Sequence, residues 1–308
     1  MSDFITGLWV AALTPLDENG AADAARLGRH AAHLFAQGCD GIVLFGTTGE
    51  GPSFSAAERL AVVEALLAQG IPPARLALGI GFPAVPEAVA LARAALSLGL
   101  DQLLALPPYF FRDVAPTGVA EAFAGLIEGV ADERLRLTLY HIPQVSGVPL
   151  TPASVAWLRE RFGGLVAGVK DSSGDFSQFQ AFRRAAPDLP VVVGNESDIS
   201  RALGEGGVGT ICGMANVVPD LVRAMFAPDP PLTAMRAAVA VLEADFLPRL
   251  KAALAAATAD PGWCRVRAPL RAADLAEGKR CAARLAAVAG GLAADFAPDH
   301  SDQPAMSA

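Results

Sequence analysis

Lysine is nearly missing from this chain. Among 24 basic residues only Lys170, Lys251 and Lys279 are lysines, and the only tyrosines are Tyr109 and Tyr140. Cysteine occurs at Cys39, Cys212, Cys264 and Cys281, without the spacing of a disulfide framework or a zinc site, which fits reduced thiols. Basic clusters are also absent, and the formal charge of −8 argues against a nucleic-acid partner. Every apolar run of spanning length is broken by Pro, Arg, Asp or Glu, so no membrane segment is expected. Met1–Trp9 shows no basic region leading into an apolar one, so no signal peptide is expected and the compartment expected is the cytoplasm.

What the chain does have is rhythm. Apolar runs of a few residues alternate with longer stretches of helical period, the pattern of repeated βα units around a parallel sheet. Strand-like runs fall at Leu8–Leu13, Gly41–Phe45, Leu76–Gly79, Gln102–Ala105, Leu137–Tyr140, Val166–Lys170, Val191–Gly194 and Val208–Cys212. Helical stretches follow each one: Ala24–Gln37, Ser55–Gln69, Pro86–Ser97, Thr117–Val130, Thr151–Arg161, Phe176–Ala186, Ser197–Glu205 and Pro219–Phe226. Eight units predict a (β/α)8 TIM barrel over residues 1–228, with an open doubly wound sheet as the alternative. After Asp229-Pro230-Pro231 the rhythm stops. Thr233–Ala259 reads as one long helix-period stretch with Pro248 inside, and Pro269–Gly290 as one or two further helices. Residues 229–295 are expected to form a helical extension, and 296–308 a flexible polar tail.

Lys170 ends the sixth strand-like run and is followed by the polar turn Asp171-Ser172-Ser173-Gly174-Asp175. The carboxyl ends of barrel strands are where such folds keep their chemistry, and an amine there can form a Schiff base with a ketone. The plainer alternative is a solvent-exposed lysine marking a strand end. Gly46-Thr47-Thr48-Gly49-Glu50-Gly51 follows the second strand, and its backbone N–H groups and threonine hydroxyls could cradle a small keto acid's carboxylate. Alternatively it is a βα turn that caps the next helix. Tyr140, in the string Tyr140-His141-Ile142-Pro143, could shuttle a proton at the barrel mouth or simply be a core tyrosine. The stiff loop Leu106-Pro107-Pro108-Tyr109-Phe110-Phe111-Arg112 could wall the pocket or cross to another subunit, with Arg112 attracting an acidic substrate. It could equally be an ordinary hydrophobic lid. Glu205-Gly206-Gly207-Val208-Gly209 precedes its strand and falls at the bottom of the barrel, so phosphate binding is not expected there. His30 and His33 have no partner ligands near in sequence, and no metal site is expected.

With the GTTGE turn, the YxxP strand end and the lysine strand in that order, the chain resembles the dihydrodipicolinate synthase / N-acetylneuraminate lyase family. The resemblance covers nearly the whole chain. It implies a (β/α)8 barrel with a C-terminal helical extension, a homotetramer, and Schiff-base chemistry on pyruvate or a related 2-oxo acid without metal or cofactor. It also implies particular roles. Lys170 matches the Schiff-base lysine, Tyr140 the proton-relaying tyrosine, and Thr47 and Thr48 the carboxylate clamp, with Thr47 also bonded to the tyrosine. Ile211 matches a position whose carbonyl lines the pocket. Gly194, Asn195 and Glu196 match the strand end that meets distal substrate hydroxyls in the sugar-acid lyases.

Two positions depart from the synthase pattern. Phe110 stands where synthases carry a relay tyrosine reaching from the neighbouring subunit, and Val145 where they carry an arginine for the semialdehyde carboxylate. The string from Tyr140 to Val148 is closer to the lyases and the 2-keto-3-deoxy sugar acid aldolases. The expectation is therefore a class I aldolase that releases pyruvate and an aldehyde from a 2-keto-3-deoxy sugar acid. The alternatives are the synthase reaction, a dehydratase of the same family, and a keto acid-binding protein without turnover.

Overall fold

The computed structural model describes residues 4–289. The expected flexible tail, 296–308, lies outside the described residues. Eight parallel strands close on themselves in sequence order, with β1 (Gly7–Ala11) hydrogen-bonded to β8 (Gly209–Cys212). Between them stand β2 (Gly41–Leu44), β3 (Leu76–Gly79), β4 (Gln102–Ala105), β5 (Arg136–His141), β6 (Val166–Asp171) and β7 (Val191–Val193). The closed barrel is the predicted one. The open sheet is excluded because its edge strands would have been left unpaired.

Helices α1 (Ala24–Ala36), α2 (Ala56–Ala68), α3 (Val85–Ser97) and α4 (Pro116–Val130) follow the first four strands. After β5 comes a single turn, α5 (Pro143–Ser146), which the sequence reading missed, and then α6 (Pro152–Phe162). Pro143 opens α5 and Gly147, at φ 69°, closes it, so four residues suffice for a turn that shows no hydrophobic period. The ring is completed by α7 (Phe176–Ala185), α8 (Ile199–Gly204) and α9 (Pro219–Ala224). At α2 the capping box is reciprocal: the Glu58 N–H donates to Ser55 Oγ, and the Ser55 N–H donates to Glu58 Oε2.

Alternation along the strands divides the core in two. Leu8, Val10, Ile42, Leu44, Leu139, Val191 and Val193 face the helices, while Trp9, Ala11, Val43, Ala77, Leu104, Tyr140, Val192 and Ile211 fill the barrel interior. One irregularity decides the site. The pairing of β5 with β6 runs Leu137 to Val166 and then Thr138 to Gly168, skipping Ala167. Val166 faces the helices, so strict alternation would send Lys170 the same way. The extra residue reverses the count, and Lys170 becomes the register partner of the interior residues Tyr140 and Val192.

The C-terminal stretch differs in detail from its prediction. Instead of one run over Thr233–Ala259 there are two helices, α10 (Leu232–Leu242) and α11 (Phe246–Ala257). Pro248 is accommodated in the first turn of α11, where backbone N–H groups have no partner within the helix. A single helix, α12 (Leu275–Ala289), follows and crosses α11 closely at Gly278, where an added Cβ would stand 2.2 Å from the Ala252 carbonyl. No helix among the described residues is long and apolar enough to cross a membrane.

Candidate active site

Lys170 and Tyr140 lie near the carboxyl ends of β6 and β5, the end of the barrel where loop variation builds sites. Both are buried, and the Lys170 Nζ stands 4.2 Å from the centre of the Tyr140 ring, within cation–π range. The Thr47 hydroxyl donates to the Tyr140 hydroxyl at 3.5 Å, a long contact that links the turn after β2 to the strand-end tyrosine. An added Cβ on Gly194 would lie 3.4 Å from Lys170 Cε and 1.9 Å from Ser172 Oγ. The missing side chain leaves room for Ser172, in the turn that follows the lysine strand. Thr48 sits farther round the mouth, its Oγ1 3.4 Å from where a Cβ on Gly213 would stand.

Glu196, just beyond β7, is buried and turned toward the β8 end. Its Oε1 accepts from the Gly213 N–H (3.1 Å) and the Met214 N–H (2.9 Å). Burial raises its carboxyl above the usual carboxylate range, while those N–H groups and the nearby Lys170 pull the other way. Glu196 therefore ties two strand ends together as well as bordering the lysine. Ile211 contributes a fully buried side chain to the interior cluster that contains Tyr140.

The other two candidates belong to the loop after β4. Tyr109 is half-buried and lies near Arg59, whose charge partly offsets the upward push that burial gives the phenol. Arg112 is exposed, with its Nε 2.9 Å from where a Cβ on Gly147 would stand, so its guanidinium reaches the turn that contains Val145. Phe110 and Phe111 project into solvent at 73% and 72% exposure, stacked edge-on with ring centres 5.3 Å apart.

The sequence reading missed Arg59. It is buried on α2, and its guanidinium donates to the Gly79 carbonyl (2.8 Å) and the Gly51 carbonyl (2.6 Å) while stacking 4.2 Å from the Phe82 ring centre. Burial pushes it down to about 10. It borders a small cavity with Thr47, Tyr140, Gly81 and Leu106, and so supports the back of the threonine turn. The signal was there, since Arg59 shares a face with the buried Val62, Val63 and Leu66, but a helical period does not name the carbonyls an inward arginine will meet. Among the described residues, no group of three or more His, Cys, Asp or Glu is arranged to hold a metal ion.

Comparison with known proteins shows the family of the chain. The sequence profile of the dihydrodipicolinate synthetase family matches residues 4–277. A Chloroflexus aurantiacus protein described as an uncharacterized DapA-like lyase is 36% identical over 221 residues, 71% of this chain and 73% of its own. The 4-hydroxy-tetrahydrodipicolinate synthase 1 of Streptomyces coelicolor is 35% identical over 298 residues, covering 92% of this chain and 93% of its own. The crystal structure of dihydrodipicolinate synthase from Agrobacterium tumefaciens superposes with a TM-score of 0.86 at 32% identity, covering 92% of this chain and 99% of that one. With a lysine and a tyrosine side by side at the mouth of a closed eightfold barrel and a profile match over most of its length, the chain belongs to the dihydrodipicolinate synthetase family of lyases.

Proposed function

We propose that this protein is a class I aldolase that forms a Schiff base on Lys170 and cleaves a 2-keto-3-deoxy sugar acid to pyruvate and an aldehyde. The observation that carries the reading is the placement of Lys170 Nζ against Tyr140, whose hydroxyl receives a hydrogen bond from Thr47. In this reading Lys170 Nζ attacks the substrate's C2 ketone, and loss of water leaves an imine. Tyr140 takes the proton from the C4 hydroxyl as the C3–C4 bond breaks, the aldehyde leaves, and the electron pair rests as an enamine. Protonation at C3 and hydrolysis then release pyruvate and free the lysine. Thr47 and Thr48 hold the substrate carboxylate, and no cofactor or metal is needed for any step. Glu196, Gly194 and Ile211 line the far side, and Tyr109 and Arg112 the outer rim.

Borohydride reduction in the presence of pyruvate tests this, since the reduced imine is a stable secondary amine. Peptide mass spectrometry should find the adduct at Lys170. An adduct at Lys251 or Lys279, or none, overturns the assignment.

A second reading is the synthase reaction, favoured by relatives above 30% identity that carry that name, such as the Streptomyces coelicolor enzyme. Val145 and Phe110 speak against it. Arg112 speaks for it, because its guanidinium reaches the turn where the synthase arginine is missing. Pyruvate release from a panel of keto-deoxy acids, measured beside semialdehyde condensation, separates the two.

We further assign the catalytic barrel to residues 1–228 and the helical extension to residues 229–295, in a cytoplasmic homotetramer. The exposed Phe110–Phe111 pair supports association, because paired phenyl rings in solvent favour a partner surface. Light scattering at micromolar concentration should give a tetramer mass, and a monomer mass would overturn this.

A further inference from the structure

A pair of deeply buried charges lies away from the Lys170–Tyr140 contact. Lys251, on α11, and Glu50, in the threonine turn, form an ion pair in which both side chains are fully excluded from solvent. Further hydrogen bonds to the pair come from one short segment of the chain. Lys251 Nζ also donates to the Arg265 carbonyl at 2.6 Å, and Glu50 Oε2 accepts from the Arg267 N–H at 2.8 Å. Arg267 then grips the rest of the same region. Its guanidinium donates to the carbonyls of Gly20 and Ser53 and to Glu58, and it lies 4.0 Å from the Phe54 ring centre.

The turn being gripped is not one the backbone adopts freely. Phe45 (φ 53°) and Glu50 (φ 55°) both sit in the left-handed region, and an added Cβ on Gly51 would meet the Phe45 carbonyl at 1.9 Å. Such conformations persist only where the surroundings over-determine them. Between Phe45 and Glu50 lie Thr47 and Thr48. A fully buried ion pair is a poor device for stability alone, since apolar side chains of similar volume commonly hold a core as well or better. What the pair supplies is direction: the carboxylate of Glu50 has one place to go, and that place sets the turn.

We propose that Glu50 and Lys251 are positioning residues, through which α11 and the Arg265–Arg267 segment hold the Thr47–Thr48 turn in the geometry that binds a 2-oxo acid carboxylate. The inference rests on the Schiff-base reading for its ligand and on the buried network for its cause. It gives the C-terminal helices a part in substrate binding although they contribute no group to the Lys170–Tyr140–Thr47 cluster.

The test uses the Glu50→Gln/Lys251→Met double variant, which removes both charges and leaves neither unpaired. Half-maximal borohydride trapping at Lys170 should require about ten- to a hundredfold more pyruvate, the scale on which small misplacements of binding groups are felt. The trapping plateau and kcat at saturation should fall far less than KM rises. A folded variant with a lower melting temperature but wild-type half-saturation overturns the proposal, because a merely structural pair would behave that way. Native-state hydrogen exchange on the wild-type protein needs no variant and no ligand. The amides of residues 46–51 and 265–267 should open as one unit, and independent opening overturns the proposal even if the double variant does not fold. Wild-type protein that traps no pyruvate at all defeats the Schiff-base reading instead, and the exchange experiment still judges the clamp.

Discussion

Lys170 and Tyr140 are register partners on adjacent parallel strands, and the lysine Nζ lies over the tyrosine ring, 4.2 Å from its centre. The ring and the hydroxyl can therefore be separated by experiment. The ring packs against the amine, while the hydroxyl meets Thr47.

Tyr140→Phe keeps the ring and removes only the hydroxyl. Turnover should fall by about 10²–10⁴-fold, the usual loss for one positioned acid/base group. Pyruvate trapping at Lys170 should change little at saturation, since Thr47 and Thr48 remain. Steady-state kinetics with a keto-deoxy acid decide the matter, and near-normal turnover would make Tyr140 a packing residue.

Gly194→Ala should damage the site without touching any reacting atom. Its methyl would lie 1.9 Å from Ser172 Oγ and 2.9 Å from Ser172 Cβ, so rotating the hydroxyl away cannot relieve the clash. The turn after Lys170 must shift, and the lysine with it. The rate of adduct formation should drop by about tenfold or more, in line with the cost of small displacements. A wild-type trapping rate would show that this turn yields without disturbing Lys170.

Two buried histidines predict acid sensitivity. His30, bonded to Asn216, is pushed down to about 4 chiefly by burial, and His141, whose Nδ1 accepts from the Leu150 N–H, is pushed down to about 4 for the same reason. Each binds its proton less readily in the folded chain than in the unfolded one, where the value is about 6.5. The stability they confer is complete above about 6.5 and is lost as pH falls toward 4. Urea midpoints should fall across that window. The advantage of wild type over His30→Gln should shrink as pH drops, and a constant difference would contradict the assignment.

Substrate class is tested at Val145 and Phe110. With Val145 in place of a guanidinium, aspartate semialdehyde loses a charge-assisted contact worth roughly 1.5–3 kcal/mol, or about ten- to a hundredfold in binding. Val145→Arg should tighten semialdehyde binding, yet turnover should stay limited until Phe110→Tyr is added, since a phenyl ring passes no proton. A coupled synthase assay on the wild type, both single variants and the double variant reads this out. Wild-type synthase turnover above its keto-deoxy acid cleavage would reverse the choice of substrate and leave the Schiff base standing.

Local pattern was enough to reach the barrel. Alternating apolar residues, helical periods and caps such as Ser55–Glu58 act over a few residues, so eight strands and their helices were legible along the chain. The motifs around Thr47, Tyr140 and Lys170 were legible for the same reason, each being a short string at a strand end. Direction and distant pairing were not. Lys170 faces the interior because Ala167 is an extra residue relative to β5, a fact that belongs to two strands at once. Arg112 reaches Gly147 across two loops, and Lys251 finds Glu50 from 201 residues away. A charged side chain's partner is set by where the closed barrel brings its neighbours, and no periodicity within one segment encodes that.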